Sequence, residues 1–158
     1  MRCRSLTVWA AVLLMGWHIA VAAGEGAIAV ITTPGHGKNL KKDDLALIFK
    51  RKKVFWSDGM KIQPVNLPPA NPLRQSFSLA ILGATPDEME KYWSDMYFHG
   101  ISPPHVLASE EGMLRFVSDT PGAIGYVSYC RAAGRANIVM IIGANGQLLQ
   151  EVPADCAD

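Results

Sequence analysis

Apolar positions along this chain follow two rhythms. Residues 27–32 (Ala-Ile-Ala-Val-Ile-Thr) are rich in β-branched side chains and predict a strand. In residues 43–49 the rhythm changes: Leu45, Ile48 and Phe49 fall at i, i+3 and i+4, the spacing of one helical face. Asp43 and Asp44 suit the positive N-terminal end of that helix, and the basic run Lys50, Arg51, Lys52, Lys53 suits its negative end. Ser57, Asp58 and Gly59 predict a turn, and residues 61–67, carrying Ile62, Val65 and Leu67, a short strand.

The helical rhythm then returns. Asn71 can cap a helix that has Pro72 at its first position and Leu73, Phe77, Ala80 and Ile81 as its apolar stripe, with Gly83 as the stop. Thr85 and Glu88 have capping-box spacing, with Pro86 between them. Met89, Tyr92, Trp93, Met96 and Tyr97 follow at helical spacing and read as core. Ser102, Pro103 and Pro104 read as a loop, and Ser109 caps a further helix with Met113, Leu114 and Val117 inward. Residues 123–129 and 138–142 predict two strands; the Asn145-Gly146 turn signal lets 148–152 return as a hairpin. The order β-α-β-α-α-α-β-β-β predicts an α/β domain with a mixed sheet flanked by helices.

Residues 1–22 read as a secretory signal peptide: Arg2 and Arg4, an apolar run, then small residues at Ala20 and Ala22. A membrane anchor is the alternative, since the run is barely long enough to span a bilayer. Cys3 precedes the apolar run, too early for a lipid-attachment cysteine. The reading leaves one domain, 23–158, in the periplasm. The whole chain carries a formal charge of +1; losing Arg2 and Arg4 brings it to about −1, a balance that argues against nucleic acid as partner. In an oxidising compartment Cys130 and Cys156 pair as a disulfide. Two free thiols are the alternative, and no histidine lies at ligand spacing to either cysteine.

Motifs for catalysis fail. Gly35-His36-Gly37-Lys38 lacks both the first glycine and the terminal Ser or Thr of a phosphate loop, and Leu40 stands where a dinucleotide-binding loop needs its last glycine. There is no nucleophile elbow, His36, His99 and His105 show no metal-ligand spacing, and no acid–base pair stands out. The reading is of a non-enzyme without cofactor. The lysines around residues 38–53 read as a solvated face, with an anion or acidic-partner patch as the alternative.

Five pieces in order resemble the phosphate-binding type of periplasmic solute receptor. They are a helix ending in Ile48-Phe49 and followed by Lys50, Arg51, Trp56 and the Asp58-Gly59 turn; Arg74 heading a helix that carries Phe77; Tyr92-Trp93; Phe98-His99-Gly100; and the Gly-Ala-Ile-Gly-Tyr-Val run at 122–127. The resemblance covers about residues 28–143. It implies a periplasmic-binding-protein type II-like single lobe that serves as a solute-binding module like the substrate-binding component of phosphate ABC transporters. The expected ligand is phosphate or a related oxyanion, bound by the chain alone or as a homodimer. Full receptors carry a Ser-Gly-Thr turn between the arginine and the phenylalanine, which Arg74-Gln75-Ser76-Phe77 lacks. The donors left to an oxyanion are Arg74, Ser76 and Thr33, helped by the N-terminal end of the Asn71–Gly83 helix. The alternative is an envelope interaction module that has lost its ligand and docks on a membrane-bound sensor or transporter through the surface around residues 50–56.

Overall fold

The computed structural model describes residues 26–151 and Cys156. The signal-peptide reading of residues 1–22 lies outside the described residues, as does Val152 at the end of the expected hairpin.

Ten elements follow one another: β1 (Ile28–Thr32), α1 (Lys42–Phe49), β2 (Gln63–Asn66), α2 (Pro72–Leu82), α3 (Met89–Tyr97), β3 (His105–Val106), α4 (Glu110–Asp119), β4 (Ala123–Ser128), α5 (Tyr129–Ala132) and β5 (Asn137–Ile142). One five-stranded sheet runs in the order β3-β2-β4-β1-β5. β1 is antiparallel to both its neighbours, while β2 is parallel to β3 and to β4. This is the mixed α/β sheet expected. Every residue of β1 is buried, which fits a strand covered on both faces.

Two elements and one absence differ from the sequence reading. β3 is a two-residue strand, formed only because Val65 and Asn66 of β2 pair with His105 and Val106. Tyr129, expected at a strand end, instead opens the single-turn helix α5. Beyond the Asn145-Gly146 turn the chain returns through one bridge, Ile142 to Leu148, rather than a strand. A further correction concerns α3. Of its residues only Met89 is buried; Tyr92 and Trp93 are half-buried, and Tyr97 is 72% exposed. The periodic stripe is present, but its last turn passes beyond the body it packs on.

Local chemistry explains the firm boundaries. Asn71 Oδ1 accepts from the Leu73 and Arg74 amides at 2.9 and 3.4 Å, and Gly83 ends α2 in the left-handed conformation. The Thr85 amide donates to Glu88 Oε2 at 2.7 Å and the Glu88 amide to Thr85 Oγ1 at 3.2 Å, a reciprocal pair that opens the turn leading into α3. Ser109 Oγ accepts from the Gly112 amide at 3.1 Å, and Met113, Leu114 and Val117 of α4 face the sheet. At Gly125 of β4 a side chain would run into Met113 and Val65, so α4 sits close against the sheet.

The core joins the pieces that lie far apart in sequence. Trp56, 7% exposed, donates its indole N–H to the Gly122 carbonyl at 3.0 Å. Phe49, Phe77 and Tyr126 form one aromatic cluster. Cys130 and Cys156 are disulfide-bonded across a sequence separation of 26, tying the chain's end to α5.

Candidate functional site

β2 and β4 run parallel, and their C-terminal ends meet the start of α2. Three polar side chains collect there. Asn66, the last residue of β2, is buried; so is Tyr126, the fourth residue of β4; and so is Arg74, in the first turn of α2. Tyr126 donates its hydroxyl to Asn66 Oδ1 at 3.2 Å and accepts the Leu67 amide at 3.3 Å. The three groups therefore sit on a polar shelf between the strand ends and a helix N-terminus, the end that carries the partial positive charge.

Arg74 is the unusual member. It is 6% exposed, and its Nε and Nη1 have no hydrogen-bond partner. No ion pair among the described residues includes it. Burial pulls its guanidinium below the ordinary arginine range, with Tyr126 as the opposing influence. A desolvated, unpaired guanidinium costs several kcal/mol, of order, and an arginine cannot escape by losing its proton. Tyr126 responds to the same burial: its hydroxyl is pushed up to about 12, so it stays a neutral donor. The Tyr126 proton goes to Asn66 and the first-turn amides of α2 go to Asn71, so the free donors are those of the Arg74 guanidinium, which fit an acceptor-only anion.

The other sequence candidates lie elsewhere. Thr33 follows the end of β1, and because β1 is antiparallel to β4 that end sits beside the first residue of β4: the Thr33 amide donates to Ala123 O at 3.3 Å. Its hydroxyl donates to Thr120 O at 3.0 Å. Thr33 and Arg74 are thus at opposite ends of the sheet. Ser76 is exposed and lines a shallow cleft with Gly26, Ala80 and Gly146; two residues beyond Arg74, it points about 200° away around the helix. The three candidates do not form one site. Of Asn66 and Tyr126, which do accompany Arg74, only Tyr126 carries a weak sequence signal, a hydroxyl within the apolar run of β4.

Trp56 corrects another expectation. It is buried beneath His36, whose ring centroid is 5.4 Å away, and cannot serve as an exposed interface anchor. The basic run beside it is partly spent: Lys53 Nζ pairs with Asp44 Oδ1 at 2.8 Å, and Lys42 Nζ donates to Gly146 O at 3.1 Å. Among the described residues no cluster of histidine, cysteine, aspartate or glutamate is placed to hold a metal ion, and no helix is long and apolar enough to cross a membrane.

No family model and no curated protein matches this sequence. Solved structures do match the fold. An ABC-type phosphate transport receptor from Vibrio cholerae superposes with a TM-score of 0.57 at 18% identity, over 72% of this chain and 45% of that one. PstS from Borrelia burgdorferi gives 0.56 at 21% identity, over 72% and 46%. A phosphate ABC transporter substrate-binding protein with bound phosphate, from Clostridium perfringens, gives 0.58 at 18%, over 72% and 44%. The chain spans less than half the length of each. Its mixed sheet and flanking helices have the fold of the phosphate-binding periplasmic receptors, over about half of such a receptor.

Proposed function

We propose that this protein is an exported, non-enzymatic solute-binding module that takes phosphate or a related oxyanion at the shelf formed by Arg74, Tyr126 and Asn66. The observation that carries this reading is Arg74, buried without a partner at the N-terminal end of α2. An anion that accepts from its guanidinium removes the penalty of leaving it unpaired. The resemblance to structures that include a phosphate-bound one supports the same ligand class. A second copy or a membrane transporter component would complete such a site.

The test is thermal unfolding of the purified protein with and without millimolar phosphate, with chloride at matched ionic strength, and again with Arg74→Ala. At 100 times its dissociation constant a ligand adds about 2.7 kcal/mol of stability. A phosphate-specific rise in midpoint that Arg74→Ala diminishes supports the reading. No rise with phosphate or sulfate rejects it.

A second reading has its own observation. Tyr97 and Phe98 are 72% and 84% exposed at the end of α3, adjacent aromatics of the kind that anchor interfaces. In that reading the module docks on a membrane-bound sensor or transporter, and α3 replaces residues 50–56 as the contact. Loss of co-purification with that partner on Tyr97→Ser and Phe98→Ser, with the phosphate response intact, would favour it.

A further inference from the structure

A cleft of about 280 Å³ opens beside the first half of β2, where β3 closes the edge of the sheet. Its volume lies just below the roughly 300–1,000 Å³ of pockets for drug-sized ligands, so it suits a smaller molecule. Arg51, Lys61 and His105 line it together with Ser102, and no carboxylate does. Neither Arg51 nor Lys61 enters an ion pair among the described residues. The Nε of Arg51 is buried and has no hydrogen-bond partner.

The backbone singles out Arg51 as well. After α1 the Arg51 amide donates to Ile48 O and the Lys52 amide to Leu47 O, bonds that close the helix with Arg51 in the left-handed region, φ 59°. Glycine usually holds that position, because a side chain there costs about 1–2 kcal/mol. Here an arginine holds it and reaches the cleft. Lys61 arrives from the other side on a small hairpin, pairing with Phe55 across the Asp58-Gly59 turn. Two segments with tight local geometry thus bring two unpaired cations to one carboxylate-free cavity.

We propose that this cleft is a second anion site, distinct from the Arg74 shelf, for a small multiply charged oxyanion: phosphate or a short dicarboxylate. Arg51 and Lys61 supply the charge, and Ser102 and His105 supply further donors at the mouth.

NMR titration of the purified protein tests this, with inorganic phosphate in one arm and succinate in the other, both at matched ionic strength against chloride. Saturable shifts of the His105 ring and the Arg51 Nε–H signals are expected in at least one arm; the arm that saturates identifies the oxyanion. Arg51→Gln should weaken that binding about tenfold and Lys61→Gln, on an exposed residue, about threefold. Arg74→Gln should leave it unchanged, which separates this site from the shelf. The proposal is overturned by shifts that stay linear in both arms or match those from chloride. It is equally overturned by unchanged affinity in both Arg51→Gln and Lys61→Gln, or by loss of binding in Arg74→Gln.

Discussion

Phe77 lies flat on Tyr126, ring centroids 3.8 Å apart and planes 6° from parallel. The stack fixes the ring whose hydroxyl bridges Asn66 and the Leu67 amide. Helix α2 is therefore locked to β4 at the level where Arg74 sits, and the polar shelf depends on an apolar contact.

Replacing Tyr126 by Phe should preserve the stack and strip the bridge. It leaves a buried amide and a buried side-chain carbonyl short of a partner, and should lower stability by about 1–3 kcal/mol, read by urea denaturation. Alkaline pH gives a second readout. Tyr126 is pushed up to about 12 by burial, whereas an unfolded tyrosine titrates near 10, so the folded state holds this proton more tightly. Its contribution to stability is complete below about pH 10 and declines as pH rises towards about 12. Tyr92 shifts in the same direction, so the comparison with Tyr126→Phe isolates the one ring. Parallel stability curves for the two proteins across that window would show that Tyr126 is not the group responsible.

Arg74→Met separates binding from folding. In buffer without oxyanions the variant should unfold at the same temperature as the unaltered protein or higher, because an apolar side chain of similar length replaces an unpaired buried charge. Its phosphate response should fall by the share that the Arg74 shelf contributes. A large loss of stability in the absence of phosphate would mean that the guanidinium is satisfied within the fold, contrary to its unpartnered Nε and Nη1.

Gly125→Ala tests the close packing of α4. The added methyl group meets Met113 and Val65, and overpacking of this kind destabilises by about 1–3 kcal/mol. Met113→Ala alone should also destabilise, by about 2–5 kcal/mol. The double variant should lose less than the sum, since each change relieves the other. Additivity within about 0.5 kcal/mol in a double-mutant cycle would rule out the direct clash.

Reduction of the Cys130–Cys156 bond frees a loop of sequence separation 26, which the chain-entropy relation values at about 3 kcal/mol. The midpoint in urea should fall on reduction, and Cys156→Ser should reproduce the reduced value without reductant. Identical midpoints for the oxidised and reduced forms would contradict this.

What could be read from the sequence was local. The Asn71 cap, the Gly83 stop and the Thr85–Glu88 pair each act within a few residues, and each stands in the structure as the residues predict. What could not be read depends on topology. His105 and Val106 carry no strand signal of their own; pairing with β2 makes them one. The exposed end of α3 shows that a helical period records which face is apolar but not whether anything covers it. The candidate site divides in the same way. Arg74 could be found as the head of a helix. Thr33 could not be excluded without knowing that β1 runs against β4, which carries it to the far end of the sheet. Asn66 and Tyr126 joined Arg74 only through strand register.

The strand that starts the described chain is also the one that must wait longest. β1 pairs on one side with β4 and on the other with β5, Ile28 lying opposite both Ser128 and Ile142. A growing polypeptide thus makes an inner strand of its sheet first and both of that strand's neighbours last. Until Ala123 and the residues after it have been made, the five apolar or β-branched positions of β1 have no ladder to enter. Helices α1 to α4 and the β2–β3 pair need nothing beyond residue 119, but β1 enters the sheet only once β4 and β5 exist.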